Sequence, residues 1–415
     1  MDRPLNVESL RLQFPALLRQ HAGQRAVFFD GPAGSQVPQR VADAVSDYLL
    51  FHNGNHGGPF ATSLETDALC NDARAAFADF VGGAEHEIVF GPNMTTLTFH
   101  LSRALAKTWR QGDEILVTDS DHDANVMPWV LAARDAGVTV HRIAVNADTT
   151  LDLADFERKL STRTRLVAVG AASNLSGTIH PIAQIAARAR QCGALTFVDA
   201  VHYAPHARVD VQALGCDFLV CSAYKFYGPH LGVLWGKGAL LEQLDAYKVR
   251  TSPSEGPEKW QTGTANFEAI AGGLAAIGYL ADIGRELGLA TRDRRQLLDA
   301  AFAATFAHEQ TLCARLLAGL TAIDSVRVIG LPVIDRQKQR CSTVSFVHRE
   351  LSPRDICLGL AARGVFCWAG NNYALALSRA LGLEPLGVLR VGMLNYNTAG
   401  EVDYFLASLG EVLVK

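Results

Sequence analysis

Charge of either sign is scarce in this chain: 19% of its 415 residues are Asp, Glu, Lys or Arg, and they balance to a formal −4. Without a basic excess there is no electrostatic reason to expect nucleic acid or an anionic membrane as a partner. No run approaches the roughly 18 apolar residues that a membrane span requires. The opening MDRPLNVESLRLQFPALLRQHAG spreads charges throughout, so no secretory signal is expected. Eight cysteines (Cys70, Cys192, Cys216, Cys221, Cys313, Cys341, Cys357, Cys367) contain no Cys-x-x-Cys pair, and the histidines lack ligand spacing. A metal site is therefore not expected. Scattered through apolar segments of a long chain, these cysteines suggest reduced thiols and a cytoplasmic setting. Internal repeats and low-complexity tracts are also missing. What is plentiful is apolar surface: 49% of residues are hydrophobic, which suits a well-packed enzyme of two domains, or one α/β unit with a lobe.

From about residue 26 to 265, short β-branched runs alternate with longer helical patterns. The runs are EIVFGP (87–92), DEILVT (113–118), TRLVAVGA (164–171), ALTFVDA (194–200) and CDFLVCS (216–222). Segments 95–110, 123–136 and 181–192 between them read as helices. Strand, crossover helix, strand implies an α/β fold with a mainly parallel sheet, whose ligands collect at the carboxyl ends of the strands. Residues 266 to about 310 read as long connecting helices. Residues 311–415, with strand-like runs at 326–330, 342–348 and 388–394, read as a smaller α+β domain. The first 25 residues are expected to pack on that smaller domain.

Polar residues follow each run. After the first come Asn93-Met-Thr95-Thr96, where hydroxyls and N–H groups at a helix start can hold a phosphate, although a bare helix cap would look the same. After the second comes His122, able to lie on an aromatic ring or to be a plain loop histidine. After the third, Asn174 can donate to a ligand oxygen or simply make an Asx-turn before Gly177. After the fourth, Asp199 ends an apolar strand, where burial is costly unless a cation or donor meets it. Last comes CSAYKFYGPHLGVLW (221–235), in which Ser222 can bind phosphate and Lys225 stands among small, aromatic and turn residues with no acid in the next ten positions. A desolvated lysine loses its proton readily and can bond a carbonyl carbon. A phosphate cradle, a stacking histidine, a donor to a phenolic oxygen, an acid for a ring nitrogen and an imine-forming lysine make up the inventory of a pyridoxal 5'-phosphate site.

These motifs resemble the class V aminotransferase family, particularly its cysteine desulfurase-like branch, over almost the whole chain. FFDGPAGSQVP (28–38) is similar to the family's N-terminal active-site turn. Its Glu-His-x-Ala-Asn is Asp121-His122-Asp-Ala-Asn125 here, and its Ser-Asn-x-x-Gly-Thr is Ser173-Asn174-Leu-Ser-Gly177-Thr178. Its strand-ending Asp with a Gln or His three residues on is Asp199 and His202. Its Ser-x-His-Lys-x-x-Gly-Pro is Ser222-Ala-Tyr224-Lys225-Phe-Tyr-Gly228-Pro229. The resemblance implies a fold-type I homodimer with shared active sites and a seven-stranded-type sheet in the large domain. It implies Lys225 as the internal aldimine, with His122 and Asp199 as its catalytic companions. The cofactor would also be held by Thr95, Thr96, Asn174, His202, Ser222 and Tyr224, and by Thr264 reaching across from the neighbouring subunit. Arg390 matches the arginine that grips a substrate carboxylate, with Ala33, Trp368 and Tyr373 beside the substrate.

Two departures bear on function. Tyr224 stands where the family usually has histidine. In GVFCWAGNNYA (364–374), Trp368 replaces the desulfurase arginine and Tyr373 replaces the sulfur-accepting cysteine, with Cys367 six positions earlier. A persulfide mechanism needs a mobile, solvent-reachable thiolate. The expectation is therefore an enzyme acting on an amino acid or amino-acid conjugate by Cα deprotonation and Cβ–S or Cβ–X cleavage. Alternatives are aminotransfer to an α-keto acid, racemisation or decarboxylation. A non-catalytic binding domain is disfavoured by retention of Lys225, Asp199, His122 and Arg390.

Overall fold

The computed structural model describes residues 4–21, 23–332 and 339–414; positions 1–3 and 22 of the N-terminal segment, and 333–338 and 415 of the C-terminal domain, lie outside the described residues. Seven strands form the main sheet: β1 (Ile88–Gly91), β2 (Glu114–Thr118), β3 (Thr139–Ile143), β4 (Thr164–Gly170), β5 (Leu195–Asp199), β6 (Phe218–Ser222) and β7 (Gly232–Gly236). Their order is β1-β7-β6-β5-β4-β2-β3. β7 runs antiparallel to both neighbours and every other pairing is parallel, so the sheet is α/β and mainly parallel. The sequence pattern left β3 and β7 unassigned. β3 is half-exposed at the sheet edge, and β7 lies inside a stretch dominated by turn signals.

Alternation explains the layering. In β2, Ile115 and Val117 face one core while Leu116 faces the other; in β6, Phe218 and Val220 oppose Leu219 and Cys221. Both faces are thus buried, as a parallel sheet covered by helices requires. The two faces are packed by α1 (Gln39–Asp47), α2 (Ala61–Val81), α3 (Met94–Ala106), α4 (Met127–Ala136) and further helices divided between them. Specifically, α3 and α4 supply Leu101, Trp129 and Ala133 to one core. The other core receives Phe77 and Phe80 from α2 and Ile185 from α5 (Ile182–Gln191). Where β7 begins, Gly232 lies against Asn93; a Cβ there would come within 2.5 Å of that residue's carbonyl carbon. This close approach draws the start of α3 to the edge of the sheet where the lysine loop lies.

Two long helices lead out of the sheet, α6 (Phe267–Glu286) and α7 (Arg294–Thr321). By length and composition α6 would suffice to cross a membrane, which corrects the expectation of no such run; 72% of its most apolar stretch is buried inside the fold, as in a core helix. α7 gives Leu298 and Phe302 to the main core and Leu312, Leu316 and Leu320 to a second one. That second core belongs to a four-stranded sheet of β8 (Val326–Ile329), β9 (Thr343–His348), β10 (Trp368–Gly370) and β11 (Val388–Gly392), in the order β8-β9-β11-β10. α8 (Pro353–Ala361) and α9 (Ala399–Leu413) cover it.

The N-terminal segment straddles both units. Arg11 pairs with Glu401 of α9 at 2.9 Å. Phe14 is fully buried against Tyr396, Tyr279 and Tyr227, with ring centroids 5.0, 5.4 and 5.9 Å away. Its apolar side chains therefore join the main core as well as touching the smaller unit. Removing the Phe14 ring leaves a cavity at the junction. Phe14→Ala should cost about 3–5 kcal/mol, read as a lower urea midpoint of unfolding with an unchanged slope.

Candidate active site

Strands β1, β2, β4, β5 and β6 all end on the same edge, and the loops that follow them enclose a cavity of about 450 Å³. At its floor lies Lys225, just after β6. Its Nζ donates to the carbonyl oxygens of Pro32 (2.5 Å) and Ala33 (2.9 Å). Burial pushes its pKa down to about 7; the charge of Arg390 adds to this and Asp199 opposes it. The amine is therefore available in its neutral, nucleophilic form near physiological pH.

Asp199, last residue of β5, is buried, with one carboxylate oxygen accepting the N–H of Val201 at 2.8 Å. Loss of water raises its pKa to about 6. Beside it is Asp121, whose two oxygens accept from the Gly170 N–H at 2.7 Å and Asn125 Nδ2 at 3.2 Å. Burial, and then the charge of Asp199, lift Asp121 to about 8. Gly170 is required here, because a Cβ would lie 2.5 Å from that carboxylate oxygen. Two neighbouring acids with separated pKa values leave one neutral while the other carries charge.

His122 is held neutral, its pKa pushed down to about 4 by burial and by Lys225 and Arg390. Its Nδ1 accepts the N–H of Ala124, and its ring stacks on Tyr373 with centroids 5.3 Å apart. Arg390 sits in β11 opposite Trp368 of β10. Its Nη1 donates to the carbonyl of Asn174 at 2.7 Å, and burial lowers its pKa to about 9. Asn174 Nδ2 donates to the carbonyl of Asn372 at 2.7 Å, and the Asp123 N–H to that of Tyr373 at 2.8 Å. These two bonds fasten the 371–374 loop across the cavity mouth, with Asn372 and Tyr373 both at positive φ. Trp368 and Tyr373 remain 52% and 72% exposed there.

Of the residues singled out from the sequence, Ala33, Thr95, His122, Asn174, Asp199, His202, Tyr224, Lys225, Trp368, Tyr373 and Arg390 line this cavity. Three do not. Ser222 is buried, its Oγ accepting the N–H of Met94 and so pinning the start of α3. Thr96 and Thr264 line a separate groove that also contains His230. Sequence reasoning passed over Asp121, although it stands next to His122 in the same motif. It also passed over Asn371 and Asn372, for which composition offered no signal, and over the Pro32 carbonyl, which no side-chain pattern can announce.

Among the described residues, several buried polar atoms here lack partners: Asn174 Oδ1, His202 Nε2 and Arg390 Nε. Unmet buried polar groups are costly, and their convergence fits a polar ligand. Pyridoxal 5'-phosphate fits this donor and acceptor set. Asp199 suits a protonated ring nitrogen, the second Nδ2 hydrogen of Asn174 and Nε2 of His202 suit its phenolic oxygen, and Thr95 at the positive start of α3 suits a phosphate.

A family model described as aminotransferase class-V matches residues 27–405. Probable cysteine desulfurases of Vibrio cholerae and Mycobacterium leprae are each 32% identical; the matches span 98% of this chain in both cases, and 98% and 96% of those proteins. Among solved structures, the apo cysteine desulfurase of Thermococcus onnurineus superposes with a TM-score of 0.85 at 27% identity, covering 100% of this chain and 99% of that one. The Escherichia coli cysteine desulfurase CsdA superposes with a TM-score of 0.84 at 26% identity, covering 99% of each chain.

The environment of Lys225 sets a pH dependence. In the cofactor-free protein, its modification by trinitrobenzenesulfonate should rise as pH passes about 7 and then level off. A solvated lysine, with a pKa of about 10.4, gains reactivity well beyond that point. Mass-spectrometric mapping across a pH series reads the difference.

Proposed function

The chain belongs to the aminotransferase class-V family and is a pyridoxal-phosphate-dependent enzyme, and we propose that it cleaves a Cβ–S or related Cβ–X bond of an amino acid by elimination. The carrying observation is that, among the described residues, none lining the cavity is a cysteine, and the loop tip presents the Tyr373 phenol instead. Cys367 packs with the core of the smaller unit. A phenol cannot take up sulfur as a persulfide, so the leaving group departs with its own substituent. The desulfurase relatives favour Cβ cleavage over aminotransfer, racemisation or decarboxylation.

When bound, pyridoxal 5'-phosphate supplies an electron-accepting ring that makes the α-proton of an amino acid removable. In this reading Arg390, which lines the cavity and whose Nε has no partner among the described residues, binds the substrate carboxylate. Lys225 Nζ takes the proton from Cα and returns it to the departing heteroatom. Asp199 would keep the ring nitrogen protonated, and neutral His122 would lie against the ring without competing for that proton. Asn174 and His202 would hold its phenolic oxygen, and Thr95, with Ser222 behind it, would hold the phosphate. Ala33, Trp368 and Tyr373 border the leaving group with small and aromatic surface free of charge. For a thioether the balance is RS–CH₂–CH(NH₃⁺)–COO⁻ + H₂O → RSH + pyruvate + NH₄⁺.

We further propose a homodimer in a cytoplasmic setting. Thr264 would then serve a partner's phosphate, since within its own chain it lies, with Thr96, in a separate groove. Exposed Leu49, Leu50, Phe51, Phe60 and Leu64 offer apolar surface for such an interface.

Incubating the purified holoenzyme with cysteine and S-benzylcysteine decides the reaction. Pyruvate and ammonia in equal amounts are expected; alanine with protein-bound sulfur would overturn elimination, and accumulation of the pyridoxamine form would indicate aminotransfer. Lys225→Ala should lower kcat by about 10²–10⁴-fold, the usual contribution of a general base. Arg390→Ala removes a charge-assisted carboxylate contact of about 2–3 kcal/mol, so KM should rise about 30- to 150-fold. Steady-state kinetics on the same substrate measures both.

A further inference from the structure

Two thiols meet on the outer side of the cavity wall. Cys357 lies on α8, and Cys367 stands between the short Val365–Phe366 strand and β10. Cys357 Sγ donates to the Cys367 carbonyl at 3.3 Å, and the two sulfurs are 3.9 Å apart. Among the described residues this is the one sulfur–sulfur contact of hydrogen-bonding geometry. A disulfide requires the sulfurs to approach to about 2.05 Å. Cys357 retains access to solvent, while Cys70, Cys216, Cys221, Cys313 and Cys341 are buried.

We propose that Cys357 and Cys367 are an oxidative modification site, joined reversibly as a disulfide by peroxide, and that the bond adjusts the substrate cavity. Once Cys357 gives up the proton it shares with the Cys367 carbonyl, the hydrogen bond from the Cys367 thiol favours its thiolate and lowers its pKa, and its access to solvent makes it the attacking sulfur. That thiolate attacks one peroxide oxygen, the O–O bond breaks, and Cys357 becomes a sulfenic acid with release of hydroxide. The Cys367 sulfur then attacks the Cys357 sulfur; the S–S bond forms, the S–O bond breaks, and the thiol proton leaves with the oxygen as water. Two thiols lose two electrons, and one peroxide becomes two waters. A dithiol reductant reverses the step.

The link to the cavity is covalent and short. Cys367 immediately precedes Trp368, and β10 pairs with β11 so that Trp368 lies across from Arg390. Tying Cys367 to α8 restrains the strand that presents Trp368 to the substrate. This regulatory part rests on the elimination reading above; the disulfide itself does not.

The holoenzyme is treated with hydrogen peroxide, alkylated, digested without reduction and mapped by mass spectrometry. A linked Cys357–Cys367 peptide that disappears after dithiothreitol is expected, and Cys357→Ser should abolish it while leaving the cofactor absorbance unchanged. A map showing no link between them, or links elsewhere only, overturns the site. Oxidised and re-reduced enzyme are then compared on S-benzylcysteine. A reversible KM change of about threefold or more is expected, absent in Cys357→Ser, and an equal KM in both states overturns the regulation. An enzyme that forms the linked peptide but yields no pyruvate would refute the elimination reading and leave the modification site standing.

Discussion

One amine is kept dry. Lys225 has given up bulk water for two backbone carbonyls, and the environment around it is balanced so that losing its proton is cheap. Arg390 nearby makes a second cation unwelcome, while Asp199 is close enough to keep the charged form from vanishing entirely. Burying ionised groups without partners is prohibitive. The cavity accordingly sets two acids, Asp121 and Asp199, against the cations Lys225 and Arg390, and a third buried acid, Asp30, lies close enough to Arg390 to feel its charge. All three carboxyl groups have raised pKa values, chiefly from burial. Lys225, Asp199 and Asp121 are all shifted towards neutral pH, and a ligand that brings a phosphate, a ring nitrogen and a carboxylate completes the site.

That balance depends on the sheet. Parallel strands deliver their carboxyl ends to one edge, so residues more than a hundred positions apart meet without long loops. His122, Asn174, Asp199 and Lys225 each follow a different strand. The remaining wall comes from the smaller unit, through Arg390 and the 368–373 loop, and from the turn at Pro32 and Ala33. α7 runs through both cores, and Phe14 packs across the same junction, so the two walls are set relative to each other by buried apolar contacts. Such packing is stiff, which suits a cavity that must hold its polar atoms ready.

Legibility differed by the kind of signal. Strands β2, β4, β5 and β6 were plain because both faces are buried and their central residues are mostly apolar. β3 escaped because half of its surface is open, and β10 because three residues carry no period. Asp199 and Lys225 were readable because a charged residue directly after an apolar strand demands an explanation. Asp121 was not, since in sequence it is one of three aspartates in a turn-like stretch. Only the approach of Gly170 and Asp199 makes it a buried acid. The pairing of Cys357 with Cys367 was equally hidden: ten residues of separation have no meaning until a helix and a strand are packed together.

Taken alone, the order of residues determined the α/β class, the cofactor-type inventory and the absence of a thiol from the loop tip, because these depend on local period and residue identity. Folding decided which of the candidates share one cavity. It left Ser222 behind the start of α3 and Thr96 and Thr264 in another groove, and it brought in the Pro32 carbonyl and Asp121. It also set every shifted pKa, since desolvation and the distance between charges are properties of the packed chain and of no single stretch within it.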